Sequence, residues 1–263
     1  MDTNIFKAAI LGVVEGITEF LPISSTGHLI LAGDILGFTS DTAKTFEVFI
    51  QLGAILAVVW LYRKKVSSTI KNIGAEKTNR FLLNLLIAFL PAAFIGLITH
   101  SFIKHHLFNP ITVAIALIAG GFAILVIERV VKKSIVLDVD DVSFKQALGI
   151  GLAQTLSLFP GVSRAGATIM GAMCFGLERK VATEFSFFLA IPTMFAATSY
   201  DLLKNLHYLT IDDLPIFVVG FFVSFFSALF VIKAFLGFVT RHTFDSFAIY
   251  RIIFGAVILF YYL

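Results

Sequence analysis

The sequence predicts an all-α polytopic membrane protein, with six transmembrane helices plus two re-entrant helical hairpins in an inverted-topology repeat. Three observations predict this fold class. The chain of 263 residues is 58% hydrophobic and only 14% charged, with a mean hydropathy of +0.94. It contains six long apolar segments, and one polar motif recurs 139 residues further along the chain. A single soluble core cannot bury so much apolar surface, which indicates a bilayer as the solvent.

Two apolar regions are interrupted by proline and polar residues, and we predict them as re-entrant hairpins. The first covers residues 5–37 and is broken at Pro22, which Ser24, Ser25 and Thr26 follow. The second covers residues 144–177 and is broken by the sequence PGVSR at 160–164. A broken backbone at membrane depth is tolerated only where it is buried in protein or lines a wet cavity. We therefore expect both breaks to lie inside the protein.

Six further segments have the roughly 20 mostly apolar residues that a transmembrane helix needs. They are Phe46–Tyr62, Phe81–Phe102, Ile111–Val130, Ala182–Leu203, Ile216–Val239 and Phe247–Tyr262. The first of them ends with Trp60 and Tyr62, directly before three basic residues. That pattern is typical of an aromatic belt beside a cytoplasmic charge cluster.

Each half of the chain thus holds one hairpin and three spans. Because three is odd, the second half enters the membrane from the opposite side, and the duplication is inverted. We predict a single membrane domain over residues 1–263, with a first repeat at 1–131 and a second repeat at 144–263. The polar loop from Lys132 to Ser143 separates them. The two hairpins dip toward each other, which places a site at the repeat interface.

The lysine and arginine pattern predicts the orientation. With the amino terminus outside, the inner loops receive most of the basic residues. These are Arg63, Lys64, Lys65, Lys71, Lys77, Arg80, Arg129, Lys132, Lys133, Lys145, Arg179, Lys180 and Arg241, whereas the outer side receives Lys7, Lys44, Lys104 and Lys204. We therefore expect both termini, and the opening of the first hairpin, to face the exterior or periplasm.

Composition excludes several other classes of protein. The net charge of +3 is too small to indicate a nucleic-acid partner, and the basic residues form short clusters rather than one face. The single cysteine, Cys174, cannot form an intramolecular disulfide. The amino-terminal segment has neither a basic lead-in nor a small-residue cleavage site, so we expect no removable signal peptide.

The duplicated motif covers Gly12–His28 in the first copy and Gly151–Ala167 in the second. The copies agree at Gly12 and Gly151, Phe20 and Phe159, Ser24 and Ser163, and Gly27 and Gly166. They differ where the first has Glu15, Glu19, Ser25 and His28 and the second has Gln154, Leu158, Arg164 and Ala167. One copy therefore supplies acid and base groups, and the other supplies a fixed cation.

The first copy carries a dense cluster of polar groups. Glu15 and Glu19 are four residues apart, so both carboxylates project from one face of a helix. Charged groups at membrane depth usually face a cavity or a partner. A hydroxyl among Ser24, Ser25 and Thr26 is expected to cap the following helix, whose N–H groups form an anion site. The alternative is a glutamate pair at a wet helix end beside an ordinary serine cap.

His28 lies three residues beyond Ser25. In a first helical turn it is close enough to accept a hydroxyl proton or to face a bound phosphate. A purely structural histidine is the alternative. Two carboxylates and three hydroxyls lie in the same short segment, which favours a catalytic role for His28.

The second copy contributes Arg164. A guanidinium inside an apolar stretch needs an anionic partner, and its planar fork binds phosphate oxygens in pairs. A structural ion pair with Glu15 or Glu19 is the alternative. Gly161 and Gly166 let the backbone approach a ligand closely.

Three more residues are candidates for phosphate binding. Ser163 and Thr168 supply further hydrogen-bond donors beside the arginine. Arg251, near the start of the last span, either adds a second cation at the exterior mouth or anchors the helix at the interface. An anion with several oxygens fits a cradle of this composition.

At these residues the chain resembles the bacterial undecaprenyl-diphosphate phosphatase family, also called the bacitracin-resistance protein family. The resemblance covers essentially the whole chain and is carried by EGITEFLPISSTGHL from Glu15, PGVSRAGAT from Pro160 and EVFIQLGAILAVV from Glu47. It implies a hydrolase of the bacterial inner (plasma) membrane that converts the C55 isoprenyl diphosphate to its monophosphate plus phosphate. That reaction recycles the lipid carrier of peptidoglycan synthesis, and so concerns cell-wall biogenesis, cell shape and resistance to the antibiotic bacitracin. It also implies a homodimer and a site open to the outer side.

The resemblance assigns residues as well. It implies catalytic roles for Glu15, Glu19, Ser25, His28 and Arg164, with Ser24, Thr26, Ser163 and Thr168 around them. Ala165 departs from the pattern, because a second serine is frequent after the arginine. That difference removes a catalytic hydroxyl at position 165 and leaves the phosphate cradle unaffected.

Together the residues suggest a mechanism of phosphoryl transfer, which depends chiefly on positioning and on charge neutralisation. Ser25 attacks the terminal phosphorus, His28 with Glu19 takes its proton, and Arg164 clamps the oxygens. Direct attack by His28 is the rival. Two carboxylates repel a polyanion, so we expect Glu15 and Glu19 to hold a divalent cation, Mg or Ca, unless Glu15 orients a water instead.

A different class of function is a transporter or flippase of the isoprenyl phosphate. Inverted repeats with broken helices are the usual architecture of alternating access. The carboxylates, serine and histidine gathered in one copy favour an enzyme, because a carrier needs no general base. A structural membrane subunit is the third reading, and so many buried ionisable groups disfavour it.

Overall fold

The computed structural model describes residues 2–131, 134–205 and 210–263. In these ranges the chain forms eleven α-helices and no strand, with one isolated β-bridge between Val136 and Leu177. The helices are α1 Asp2–Thr18, α2 Ser25–Ile35, α3 Asp41–Leu61, α4 Arg63–Lys71, α5 Glu76–His106, α6 Pro110–Val130, α7 Phe144–Gln154, α8 Arg164–Cys174, α9 Arg179–Asn205, α10 Leu214–Val239 and α11 Asp245–Tyr262. Short 3-10 turns occupy Val139–Asp141, Thr155–Leu158 and Ile211–Asp213. The predicted all-α class is confirmed.

Among the described residues, six helices are long and apolar enough to cross a membrane, the number that the sequence predicts. They are α3, α5, α6, α9, α10 and α11. Helices α3 and α5 begin at Asp41 and Glu76, several residues before the apolar runs that predicted them. Helical hydrogen bonding continues beyond the apolar run into the interface. A count of apolar residues therefore finds only the part of each helix that lies in the hydrocarbon core. Lys132 and Lys133 of the charge pattern, and the side chain of Lys104, lie outside the described residues.

The two interrupted regions form helix pairs, α1 with α2 and α7 with α8. Helices α2, α7 and α8 each have 11 residues, which is about 16 Å of helix. A hydrocarbon core is about 30 Å thick. Helices of this length reach about half-way across, an arrangement consistent with re-entrant hairpins.

The break of each hairpin has the same unusual backbone. Ser24 has a φ of 68° and Ser163 a φ of 75°, and among the described residues they alone combine a side chain with positive φ. Each serine directly precedes the second helix of its hairpin, α2 or α8. Such a conformation costs roughly 1–3 kcal/mol and persists where the surrounding structure enforces it, often at functional sites. The repeated strain locates equivalent turns 139 residues apart.

The two halves of the chain are interleaved. Helix α1 packs along α10 of the second half, and α7 packs along α5 of the first. Glycines allow these close approaches: a Cβ on Gly12 would lie 2.7 Å from the carbonyl oxygen of Gly220, and one on Gly151 would lie 2.6 Å from that of Ala88. Small residues at helix crossings are typical of membrane proteins. Both hairpins are therefore held against spans of the opposite half.

Candidate active site

The centre of the site is a carboxylate shared by the two hairpins. Glu19, which follows α1, accepts a hydrogen bond from Ser25 Oγ through Oε2 at 2.6 Å. Its other oxygen, Oε1, accepts from Arg164 Nη2 at 2.9 Å. Ser25 is the first residue of α2 and Arg164 the first of α8, so the two occupy equivalent positions in the duplication. The structure thus brings together three of the predicted catalytic residues.

Arg164 is held by further contacts from α9. Its Nη1 donates to the carbonyl oxygen and to the Oγ of Ser186, at 3.2 and 3.3 Å. The guanidinium carbon also lies 5.5 Å from the ring centroid of Phe20, within cation–π range. Its Nε is buried and has no hydrogen-bond partner in the part of the chain that the structure describes. An oriented guanidinium with one buried donor to spare is suited to receiving an anionic oxygen.

Thr168 contacts both Ser186 and the backbone of Arg164. Its hydroxyl is 2.6 Å from Ser186 Oγ and also donates to the carbonyl oxygen of Arg164 at 2.9 Å. The threonine is fully buried. Its hydroxyl therefore positions Ser186 and, through it, the arginine, whereas the sequence predicted a direct phosphate donor.

Glu15 is the most unusual group in the site. It is completely buried, and no donor of the described residues lies within hydrogen-bond distance of either of its carboxylate oxygens. It lies one helical turn before Glu19, on the same side of α1. A buried carboxylate without a partner is costly unless it is protonated or meets a cation or a donor. Glu15 is therefore suited to bind a cation or a hydrogen-bond donor that is not part of the protein.

The acidic pair is small for a metal site made of protein alone. The described residues contain no cluster of three or more histidine, cysteine, aspartate or glutamate side chains suited to hold a metal ion. Mg²⁺, however, is commonly bound by one or two carboxylates together with the phosphates of a substrate. The unpartnered oxygens of Glu15 beside Glu19 fit that kind of binding.

The two hairpin turns differ in how they cap their helices. Ser163 Oγ accepts the N–H of Gly166 at 3.0 Å and so caps α8. Ser24, at the same position in the first copy, makes no side-chain cap, and the predicted cap of α2 is wrong at this residue. Ser24 therefore leaves the first N–H groups of α2 uncapped. Such groups at a helix start form an anion site, beside Ser25 and the half-buried Thr26.

His28 does not face Ser25. Its Nδ1 lies 2.8 Å from the carbonyl oxygen of Ser24, and its Nε2 lies 2.7 Å from the hydroxyl of Tyr250 on α11. A carbonyl only accepts, so Nδ1 carries a proton, and in the neutral ring Nε2 is the acceptor for the Tyr250 hydroxyl. The ring also stacks on Phe254, with centroids 4.1 Å apart. The predicted contact between His28 and the Ser25 hydroxyl is corrected, because packing against α11 turns the ring the other way.

Arg251 has a different set of partners from the phosphate predicted for it. It is 1% exposed, and all five of its N–H groups are engaged by backbone carbonyl oxygens. These belong to Pro22 of the first turn, Gly161 and Val162 of the second, and Ala116 and Leu117 of α6, at 2.9–3.2 Å. The guanidinium therefore ties the two turns together. Gly161, another predicted phosphate contact, serves here as one of its acceptors.

Two residues of the site were missed by sequence reasoning. Ser186 lies 139 residues after Glu47, so the duplication offered a means of finding it as the counterpart of a polar residue in the EVFIQLG segment. Tyr250 had no such counterpart, because the residue 139 positions before it, Ile111, is apolar. Only the packing of α2 against α11 places its hydroxyl on the histidine.

Comparisons with known proteins agree over nearly the whole chain. Residues 8–257 match a family described as "Bacitracin resistance protein BacA". A protein of Nitrosomonas europaea is 57% identical over 97% of this chain and 93% of its own length. Relatives from Methylobacillus flagellatus and Aromatoleum aromaticum are 53% and 54% identical, over 98% of this chain and 98% and 95% of theirs. Each of the three is named an undecaprenyl-diphosphatase.

Proposed function

Because the chain belongs to the bacitracin resistance protein BacA family, we propose that its buried site hydrolyses undecaprenyl diphosphate to undecaprenyl phosphate and phosphate. It is a multi-pass membrane enzyme, a hydrolase acting on an acid anhydride. Its product is the recycled lipid carrier of cell-wall synthesis. This function accounts for a site that lies within the membrane part of the protein and combines a cation, two carboxylates and a hydroxyl.

One observation carries the proposal: Glu19 of one hairpin receives hydrogen bonds from Ser25 and, across the duplication, from Arg164. A hydroxyl held by a carboxylate resembles an activated nucleophile. A guanidinium beside it neutralises the charge of a transferring phosphoryl group. The nucleophile and the charge-neutralising guanidinium thus both lie within hydrogen-bond distance of one carboxylate.

The direct test is phosphate release from undecaprenyl diphosphate by the purified chain in detergent. We expect turnover by the natural sequence and its loss in Glu19→Gln. Glu184→Gln is the matched control, because it removes another carboxylate of a membrane helix, one bonded to Tyr62 and outside the site. Absence of release from the natural sequence would favour the alternative, a transporter or flippase of the isoprenyl phosphate.

In the first chemical step Ser25 Oγ bonds to the terminal phosphorus, and the bond from that phosphorus to the bridging oxygen breaks. The serine proton passes to Glu19 Oε2, its present hydrogen-bond partner. Undecaprenyl phosphate leaves with the bridging oxygen. Water then attacks the phosphoserine, phosphate departs, and the proton returns to Ser25. Arg164 holds the phosphoryl oxygens during both steps.

This order predicts a phosphoenzyme on Ser25. After a short reaction with substrate labelled in its terminal phosphate, acid quenching should leave label on the protein, because a phosphoserine survives acid. The label should disappear in Ser25→Ala and persist in Ser67→Ala, which changes an exposed serine of α4. An acid-labile label would instead identify His28 as the nucleophile.

We propose that Glu15 and Glu19 hold a divalent cation, Mg or Ca, together with the substrate phosphates. When bound, the cation offsets the repulsion between two carboxylates and a diphosphate. The unpartnered oxygens of Glu15 support this assignment.

A strong chelator is expected to reduce phosphate release at least about tenfold, and either Mg or Ca should restore it. The same treatment should have little further effect on Glu15→Gln, which already lacks one ligand. Full activity of the natural sequence in chelator would remove the cation from the mechanism.

We propose that His28, which does not take the Ser25 proton, faces the bound phosphate. Tyr250→Phe is then expected to lower kcat about fivefold to tenfold with little change in KM, because it removes one hydrogen bond worth about 1 kcal/mol from that histidine. The phenyl ring keeps the stacking with the histidine. Tyr261→Phe is the matched control, since the Tyr261 ring packs edge-to-face against Tyr262 rather than against His28. Equal kinetics for the two variants would show that the Tyr250 hydroxyl does not orient a working histidine.

We further propose that both termini and the active site face the exterior or periplasm of the bacterial inner membrane. The excess of lysine and arginine in the alternate loops supports this orientation. A homodimer is proposed from the family resemblance. Accessibility of single cysteines placed at either terminus would measure the orientation, with Cys174 replaced by serine to give a cysteine-free background.

A further inference from the structure

Helix α4 is a short basic helix that directly follows the first span. It has four basic residues and no acidic residue over Arg63–Lys71. Lys65 is neutralised by Asp140, whose oxygen lies 2.6 Å from its Nζ. Arg63, Lys64 and Lys71 are exposed and have no acidic partner in the part of the chain that the structure describes. Three positive charges on this helix are therefore available to an external anion.

These charges lie around one groove. The groove is lined by Arg63, Lys64, Ser67, Ser68 and Lys71. Their spacing is that of one face of a helix, so the cations and the two hydroxyls point to the same side. Neither serine hydroxyl donates to another group in the described ranges. Ammonium, guanidinium and hydroxyl groups without an acid among them form a set of donors suited to phosphate oxygens.

Three exposed apolar residues lie in or beside α4. Trp60 is 56% exposed at the end of α3, and Ile70 and Ile73 are 62% and 66% exposed. The guanidinium of Arg63 lies 5.2 Å from the Trp60 ring centroid and also donates to the Trp60 carbonyl oxygen at 3.0 Å. Tryptophan at the end of a span marks the interfacial level, and basic amphipathic helices lie in that plane. The groove is thus at the depth of lipid headgroups.

We propose that α4 binds the headgroup phosphate of an anionic membrane lipid. Arg63, Lys64 and Lys71 with the two serine hydroxyls receive the phosphate, while Trp60 and Ile70 contact the adjoining glycerol and acyl region. Each basic residue near an anionic membrane surface strengthens binding about fivefold. This site is separate from the buried carboxylates, and it does not depend on the proposed phosphatase activity.

The chain contains a reporter for this site, because Trp60 is its only tryptophan. The full chain is reconstituted in phosphatidylcholine vesicles that contain the same fraction of either brominated phosphatidylglycerol or brominated phosphatidylcholine. The quenching of Trp60 fluorescence is then measured. For the natural sequence we expect the affinity for phosphatidylglycerol, obtained from this quenching, to be about fivefold or more higher than that for phosphatidylcholine. This ratio of affinities is the lipid preference. In Lys64→Gln with Lys71→Gln the preference should fall close to one.

The matched control is Lys145→Gln with Arg241→Gln, which removes two exposed charges outside α4, one at the start of α7 and one between α10 and α11, and should keep the preference. Melting temperatures in detergent check that the variants fold; if the double variant is destabilised, each single variant should still lower the preference. Equal quenching by the two brominated lipids would overturn the proposal, as would a preference that survives in the α4 variants. Quenching unchanged by added inorganic phosphate supports a lipid headgroup, whereas its abolition would overturn the lipid assignment.

Discussion

Arg164→Ala is expected to lower kcat for phosphate release at least about a thousandfold, the effect typical of an arginine that neutralises a transferring phosphoryl group. The structure gives the physical reason. The guanidinium is fixed by Ser186, lies against Phe20 and reaches Glu19 of the other hairpin at 2.9 Å. Without it, the carboxylates at the site meet a diphosphate with no compensating protein charge. The measurement is steady-state phosphate release in detergent.

Loss of folding must be distinguished from loss of chemistry. Arg164→Ala leaves the Glu19 carboxylate buried without its cation, so some loss of stability is expected as well. Combining it with Glu19→Gln removes that unpaired charge and should recover stability without recovering activity. Arg164→Lys keeps the charge but loses the fork and should give intermediate rates. If Arg164→Ala keeps more than about a tenth of the activity, the Arg164–Glu19 pair is a structural ion pair.

Arg251→Leu is expected to have the largest effect on stability. It removes five hydrogen bonds at once and leaves the carbonyl oxygens of Pro22, Gly161 and Val162 buried without this donor. A buried acceptor left unsatisfied costs about 1–3 kcal/mol. We expect a loss of about 3 kcal/mol or more, which corresponds to a fall in Tm of roughly 10 °C. Thermal unfolding in detergent measures it.

A second variant reaches the same contact without touching the arginine. A Cβ on Gly120 would lie 2.1 Å from Arg251 Nη2, so Gly120→Ala must displace the guanidinium from the turns. Gly237→Ala is the matched control, because its Cβ would have no neighbour within 4 Å. Arg251→Leu with an unchanged Tm would show that the two turns hold together without this arginine, and the interpretation would fail.

The duplication made much of the site predictable. Positions that differ between the copies, Glu15, Glu19, Ser25 and Arg164, were the ones to suspect, because copies under the same packing constraints diverge where their chemistry diverges. The structure joins three of them through one carboxylate and leaves the fourth, Glu15, buried and unpartnered. The equivalence of the two turns also made a contact between them predictable. A shared local sequence encodes a shared local backbone, as the positive φ of Ser24 and Ser163 illustrates.

The directions of His28, Arg251 and Thr168 were not predictable in the same way. His28 was expected to face Ser25 because they are three residues apart, yet its ring is fixed by Tyr250, which is 222 residues away. Arg251 was expected at an exterior mouth because it lies near a helix start, yet it passes beneath two glycines of α6 to reach both turns. Sequence spacing places a side chain on a face of its own helix and says nothing about which helix packs there.

The sequence by itself determined the membrane class, the six spans, the positions of the two breaks and the residue types that meet between them. These follow from local physics: apolar length sets a span, proline and glycine end a helix, and a repeated motif repeats its backbone. Only the tertiary structure decided that Glu19 is the shared acceptor, that Ser186 and Thr168 orient the arginine, and that Arg251 joins the turns. Those contacts depend on the packing of α9, α11 and α6 around the hairpins, and such packing is set by the whole chain rather than by any one segment.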